Sequence, residues 1–231
     1  MASLITGLTS EQIAGLTTAT LARLTSEDWA AFNTEQIQAL TTRQVATLTS
    51  VPFSYLNTEQ FSAFQTEDLR ALSTGAVRSL STSLLDALST DQMPAFSTSQ
   101  VRSFTTSQVR ALNTEDLNAL ETDQFRALQT QQLAALGTEQ VSALQTDDFT
   151  AIGSSGLRAF NSSAVGAFST DQVAALTTSQ AASLTSTQVD GFSSEQVAAL
   201  TSDGLRALGT AALRSLDSTQ LAGLNTDQVQ A

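Results

Sequence analysis

Apolar side chains recur along this chain with a period of eight residues, which runs without insertion or deletion from Leu8 to Ala231. Numbered from the leading residue of each octad, place 1 is Leu, Phe or Ile in all 28 octads, and place 6 is apolar in all 28. Place 3 is Ser or Thr in all 28, place 5 is Gln in 16 and Asp in 4, and place 8 is Ala, Gly or Ser in 25. A fixed short period is typical of a repeat architecture.

The spacing of the two apolar places excludes two simple structures. Places 1 and 6 have opposite parity, so a β-strand would put them on opposite faces. In one continuous helix, eight residues at about 100° each would turn the apolar stripe by about 80° per octad, and no single face would be buried. The pattern therefore predicts one very short helix per octad, broken by a turn.

The polar places indicate where each helix begins. Ser or Thr at place 3, followed by an acidic residue at place 4 in 14 octads, predicts an N-cap at place 3. Place 2 is the alternative, because Gln three residues later at place 5 would complete a capping box. We prefer place 3, since place 2 also accepts Gln65, Gln129 and Glu121.

Charges agree with helices that run from place 3 or 4 to place 7. Acids are concentrated at places 4 and 5, and 8 of the 10 Arg residues occupy place 7. The helix dipole favours this order by about 0.3–1 kcal/mol per charge. The Arg residues at place 7 are Arg70, Arg78, Arg102, Arg110, Arg126, Arg158, Arg206 and Arg214.

Helices this short need neighbours, so the array predicts an all-α solenoid. A helical wheel puts places 5 and 8 towards one neighbouring coil, and places 3 and 7 towards the other. We expect the place-5 Gln amides to hydrogen-bond across coils or to turn carbonyls. Five of the seven Phe residues at place 1 fall in octads numbered by multiples of four, which favours a superhelix of about four octads per turn, with two or three per turn as alternatives.

Composition narrows the classes of partner. The net charge of −12 makes nucleic acid and anionic membranes poor partners, and no apolar run is long enough to span a membrane. The absence of Cys and His from the sequence removes thiolate, imidazole and the usual zinc chemistry. Residues 1–7 do not form a signal peptide and are interpreted as a partial repeat or an added start, and residues 8–231 as a single octapeptide-repeat solenoid. The composition favours an extracellular or cell-surface location.

The octad L-T-T-x-Q-V-x-A resembles the Leu-Thr-Thr-x-Gln-type short repeats of large bacterial secreted or surface proteins, over residues 8–231. The resemblance implies a stalk, spacer or adhesin segment and brings no catalytic residues with it.

Candidate sites are few. Adjacent acids at Glu27–Asp28, Glu67–Asp68, Glu115–Asp116 and Asp147–Asp148 could bind Ca²⁺, but acids fill these helix-start places throughout the array, and no calcium-loop spacing occurs. Arg102 and Arg110 could form an anion patch, although solvated charges at helix ends explain them better. Ice binding by Thr and Ser arrays needs free and coplanar hydroxyls, whereas place-3 caps would be engaged. We therefore expect no catalytic, cofactor-binding or metal-binding residues.

Two zones depart from the octad. Octad 6, residues 48–55, carries Pro52 and ends in Tyr55, and Pro94 at place 7 of octad 11 should shorten its helix. Octads 19 and 20 lack Gln at place 5 and contain Gly153, Gly156 and Gly166. Either zone could be a partner site or a bend; drift in a tolerant array explains them better.

The sequence thus predicts a non-enzymatic structural repeat protein, a rod-like spacer of a secreted or surface bacterial protein that associates end to end with itself. The alternatives are a protein-interaction module that uses the extended surface and, less favoured, an ice-binding protein. No cofactor is expected.

Overall fold

A computed structural model describes residues 3–230 and contains one short helix in each octad. In this part of the chain there are 27 α-helices of four to six residues and one 3-10 helix, and there is no strand. The all-α short-helix solenoid predicted from the octad is confirmed. No helix among the described residues has the length and apolar character needed to cross a lipid bilayer.

The chain divides into two compact units, Met1–Leu120 and Glu121–Ala231. The α-helices of the first unit are α1 Ser10–Ala14, α2 Thr18–Leu21, α3 Ser26–Ala30, α4 Thr34–Gln38, α5 Thr42–Val45, α6 Ser50–Phe53, α7 Thr58–Ser62, α8 Thr66–Ala71, α9 Thr74–Ser79, α10 Thr82–Asp86, α11 Thr98–Ser103, α12 Thr106–Ala111 and α13 Thr114–Asn118. Its 3-10 helix is Met93–Ala95.

The second unit contains the remaining fourteen α-helices. They are α14 Thr122–Ala127, α15 Thr130–Leu133, α16 Thr138–Ala143, α17 Thr146–Ala151, α18 Ser154–Leu157, α19 Ser162–Gly166, α20 Thr170–Ala174, α21 Thr178–Ser183, α22 Ser186–Asp190, α23 Ser194–Ala199, α24 Ser202–Ala207, α25 Thr210–Ser215, α26 Ser218–Ala222 and α27 Thr226–Val229.

The N-cap lies at place 2, so our preference for place 3 was wrong. Thr105, for example, is extended at φ −74° and ψ 159°, and its hydroxyl accepts the Gln108 N–H. The Gln108 Oε1 accepts the Thr105 N–H in return, which completes a capping box. This second bond needs only the backbone of place 2. Place 2 can therefore be Glu121, whose N–H also donates to a place-5 Gln.

The core of each unit consists of the side chains of places 1 and 6. Almost all of them are buried, and Trp29, Phe61 and Phe125 are among the largest fully buried side chains. Neighbouring rings touch, as Phe168 does with Phe192 three octads later, at 6.2 Å between centroids. Ile5, at place 6 of the partial octad, is also buried, while Met1, Ala2 and Ala231 lie outside the described residues.

Within each unit a helix packs against the helix that lies three octads later in the sequence, as α22 packs against α25. Hydrogen bonds between successive coils span 24 to 31 residues. The turn of the superhelix therefore lies between three and four octads, close to the value of about four expected from the Phe pattern.

Candidate functional site

The most regular polar feature of the molecule is a row of place-5 Gln side chains that joins each coil to the one before it. We call it the glutamine row. Its members with bonds to the preceding coil of the same unit are Gln36, Gln44, Gln60, Gln92, Gln100, Gln108, Gln172, Gln180, Gln188, Gln196, Gln220 and Gln228.

Each carboxamide of the row uses both of its polar atoms. In Gln108, Oε1 accepts the N–H of Thr105 at 2.7 Å. Nε2 donates to the carbonyl of Val77, 31 residues earlier, and to that of Leu80, 28 residues earlier, both at 2.9 Å. A carboxamide is the side chain that accepts at one end and donates twice at the other. The expectation that these amides bond across coils is confirmed.

Small residues at place 8 make the second contact between coils. A Cβ built on Gly191 would lie 2.9 Å from the carbonyl oxygen of Ser162, a place-3 residue 29 positions earlier. Of the four Ser residues at place 8, Ser103 and Ser215 donate to that carbonyl, as Ser215 does to Ser186 at 3.2 Å. The predicted placement of places 5 and 8 towards one coil and place 3 towards the other is correct.

In the four pairs of adjacent acids, one member is exposed and the other buried. Glu27, Glu67, Glu115 and Asp147 at place 4 are exposed, whereas Asp28, Asp68, Asp116 and Asp148 occupy the place-5 position of the glutamine row. Each pair is therefore split between two environments. Among residues 3–230 no group of three or more Asp or Glu side chains could hold a metal ion.

Asp28 is stabilised as a carboxylate. One oxygen accepts the N–H and hydroxyl of Thr25, and the other accepts the Leu4 N–H and the Ser3 hydroxyl, both at 2.9 Å. These bonds, those from Thr25 foremost, lower its pKa from the ordinary value to about 2.

The other three place-5 carboxyls have raised pKa values, and burial is the main cause in each. For Asp68 the Thr42 hydroxyl opposes the effect of burial on the pKa, and for Asp148 the Thr122 hydroxyl, at 2.8 Å, does so. Asp116 also faces the negative charge of Asp86 in the preceding coil. A carboxylate cannot donate to the carbonyls that Gln Nε2 reaches, so these sites are weak points of the row.

Six of the eight Arg residues at place 7 interact with neighbouring groups of the protein. Arg70 donates to the carbonyl of Ala95 at 3.3 Å, and Arg78 to that of Ser103 at 3.4 Å, both in the next coil. Arg206 pairs with Asp203 at 3.0 Å on the surface. Arg102 and Arg110, the candidates for an anion patch, also have interaction partners.

Pro94 and the glycines of octad 19 have different effects on the local structure. Pro94 lies in the 3-10 helix Met93–Ala95 that replaces the α-helix, as predicted. In octad 19 a Cβ on Gly156 would lie 2.5 Å from Leu133 Cδ1 and 2.8 Å from Ile152 Cγ2, so only Gly fits the packing found there. A Cβ on Gly153 would meet nothing within 4 Å.

A pocket of about 370 Å³ beside octad 6 was not predicted from the sequence. It is lined by Leu21, Leu24, Trp29, Thr49 and Pro52, together with Thr18, Ala19, Ala22, Thr47, Leu48 and Val51. The sequence shows that Pro52 replaces Gln at place 5. It does not show which carbonyls, 28 and 31 residues earlier, lose a partner as a result.

These features define a class of protein, an α-solenoid of octapeptide repeats held together by a row of carboxamides. The chain matches the family model of the ALTTAQ repeat at residues 61–98, 117–154, 141–178, 149–186 and 202–231, more than half of its length. It belongs to the ALTTAQ repeat family. Residues 175–180 read Ala-Leu-Thr-Thr-Ser-Gln, which runs from the small place 8 of one octad to the place-5 Gln of the next. No curated protein matches the chain.

Proposed function

We propose that this chain is a non-enzymatic structural segment, a spacer or stalk in a secreted or surface-located bacterial protein. The observation that supports the proposal is the glutamine row. Gln occupies place 5 in 16 of the 28 octads. It joins coils, with both carboxamide atoms bonded inside the protein. The likeness of the octad to repeats of large secreted and surface proteins supports the location.

We also propose that copies of the chain associate end to end. Place 6 is fully buried in most octads, yet Leu213, Leu221 and Val229 in the last three octads are 40%, 50% and 70% exposed. In the first octad Gln12 is exposed, and within the described residues its Nε2 has no hydrogen-bond partner. The last coil thus offers an apolar surface together with place-1 carbonyls, such as that of Leu208, that accept no hydrogen bond within residues 3–230. The first coil offers the free Gln12 donor, which is complementary to such a carbonyl in a head-to-tail contact.

Negative-stain electron microscopy across a concentration series tests this proposal. We expect particles of constant width that lengthen as the protein concentration rises. Particles of one length at every concentration, with a monomer mass in light scattering, would contradict end-to-end association. The spacer role would then rest on the fold alone.

Ice binding is a second candidate, because the place-3 hydroxyls do not act as caps, although those of Thr122 and Ser154 donate hydrogen bonds to the next coil. Place 3 is not the cap, and its side chain is exposed or half-buried in every octad. In the second unit Ser162 and Ser194, 32 residues apart, alternate with the small residues Gly191 and Gly223. A thermal hysteresis measurement tests this function, and a freezing point equal to the melting point would reject it.

A further inference from the structure

Octad 6, like the octads with Ala, Leu or Gly at place 5, leaves two backbone groups without the partner that Gln supplies in a regular octad. In a regular octad the place-2 N–H donates to Gln Oε1, and the place-1 carbonyl 28 residues earlier accepts from Gln Nε2. With Pro52 at place 5, these groups are the Thr49 N–H and the Leu24 carbonyl. Neither has a hydrogen-bond partner within residues 3–230.

A third group is partly unsatisfied for the same reason. The Leu21 carbonyl, 31 residues before Pro52, accepts only the N–H of Leu24, at 3.2 Å. The equivalent carbonyl of Val77 accepts both a backbone N–H and Gln108 Nε2. Pro52 also lacks the N–H that the cap would accept, and the Thr49 hydroxyl accordingly makes no cap hydrogen bond.

The residues that carry these groups line one pocket. Thr49, Leu24 and Leu21 are all in the wall of the 370 Å³ pocket, and Pro52 forms another part of it. The rest of the wall includes Trp29, Leu48 and Val51, and Val51 is 55% exposed. Its volume lies within the range of small-ligand pockets, about 300–1,000 Å³.

We propose that this pocket binds a primary carboxamide on a short aliphatic stem, the chemistry of a glutamine side chain presented by a partner protein. The carboxamide oxygen accepts the Thr49 N–H, and the NH₂ group donates to the Leu24 and Leu21 carbonyls. The stem packs on Pro52 and Leu48. The ligand thus makes the hydrogen bonds that Gln makes in a regular octad.

The same groups discriminate against a carboxylate. A glutamate side chain can accept the Thr49 N–H, but its second oxygen then faces carbonyl oxygens and has no proton to donate. An acceptor placed against acceptors is unfavourable, because neither group recovers the hydrogen bonds that it loses with water. The site therefore selects an amide over the acid of the same shape.

Titration of the full chain with N-acetylglutamine methylamide tests the site. The titration is monitored by ¹H–¹⁵N NMR. We expect saturable shifts of the Thr49 amide and of the amides next to Leu24, and slower hydrogen exchange at Thr49. N-acetylglutamate methylamide at pH 7 should bind at least tenfold more weakly. Equal binding of the two compounds, or no saturable shift, would overturn the proposal.

Two variants make the test specific. Pro52→Gln restores the regular side chain inside the pocket and should weaken binding at least tenfold, while the Thr49 amide becomes protected without ligand. Pro94→Gln replaces a Pro outside the pocket and should bind like the parent chain. If Pro52→Gln binds as well as the parent, the pocket is not the site. If Pro52→Gln fails to fold, hydrogen exchange at the Thr49 amide of the parent chain, measured with and without the ligand, still tests the proposal.

Discussion

At the scale of single residues, the choice of Gln at place 5 follows from what the position must satisfy. It must accept a backbone N–H at the start of its own helix and donate to two carbonyls of the preceding coil. Asp can do only the first, and Leu84 or Ala76 at the same place can do neither. Gln therefore links the local cap to the tertiary contact in one side chain.

Replacement of Gln108 by Leu should destabilise the protein. The Thr105 N–H and the Leu80 carbonyl would lose their partners in a buried position, which we expect to cost about 2–4 kcal/mol. Urea unfolding followed by circular dichroism measures the change. Gln38→Leu is the control, because Gln38 is exposed at place 7, and its stability should stay within about 0.5 kcal/mol of the parent. Equal losses in the two variants would contradict the role of the row.

Stability should increase as the pH falls from 7 towards 4. Asp68, Asp116 and Asp148 have raised pKa values in the folded chain, so the folded state binds protons more tightly than the unfolded state. Their contribution to stability is complete below the ordinary pKa and is lost as the pH rises through the raised value. Asp28 acts in the opposite sense, and its contribution is lost only as the pH falls towards about 2. Melting temperatures across this range measure the effect.

Asp68→Gln isolates one of these sites. It restores a regular row residue, and we expect a higher melting temperature at pH 7 and a smaller gain on acidification. Glu67→Gln removes the same charge from the exposed neighbour. Because the charge of Glu67 is the smallest of the causes that act on the Asp68 pKa, this variant should keep most of the acid gain of the parent. If both variants respond alike, the effect comes from net charge and not from the buried carboxyl.

At the scale of the element, helices of four to six residues depend on their caps. So short a helix does not form alone in water, because nearly all of its backbone groups belong to its ends. Here the cap satisfies the first N–H groups, while the glutamine row satisfies carbonyls at the ends of helices in the coil below.

Substitutions of Gly153, the N-cap of α18, and of Gly156 within α18 should change the stability of the protein in opposite directions. Gly153→Ser supplies a missing cap hydroxyl in open space and should stabilise the protein by about 0.5 kcal/mol. Gly156→Ala puts a methyl group against the buried Leu133 and Ile152 and should cost about 1–3 kcal/mol. Thermal unfolding of both variants is the measurement. A neutral Gly156→Ala would show that this zone is loosely packed.

At the scale of the whole molecule, each coil covers the apolar side chains of the one before it. Leu205 at place 6 is 6% exposed, whereas Leu213, one octad later, is 40% exposed. Burial therefore depends on a following coil, as in other linear arrays.

Conversion of Leu213, Leu221 and Val229 to Thr should abolish association while the chain stays folded. Sedimentation velocity across a concentration series should show association of the parent and monomers of the triple variant. Tyr55→Thr, which removes an exposed aromatic side chain far along the sequence, should associate like the parent. Association that survives the triple change would place the contact elsewhere.

By itself, the sequence determined the period, the helical class and the buried places, because two apolar places and one Ser or Thr repeat in one register through all 28 octads. It also indicated that Gln acts between coils. It misplaced the cap by one residue, since Ser and Thr at places 2 and 3 offer the same hydroxyl chemistry.

Only the tertiary structure decided which groups meet across a turn. The partners of Gln108 lie 28 and 31 residues away, a distance set by how coils stack and not by any local pattern. For the same reason, the split of the acid pairs, the tight fit at Gly156 and the pocket at Pro52 could not be predicted from the octad. Each depends on a side chain or carbonyl from another coil, and an eight-residue period contains no information about which one that is.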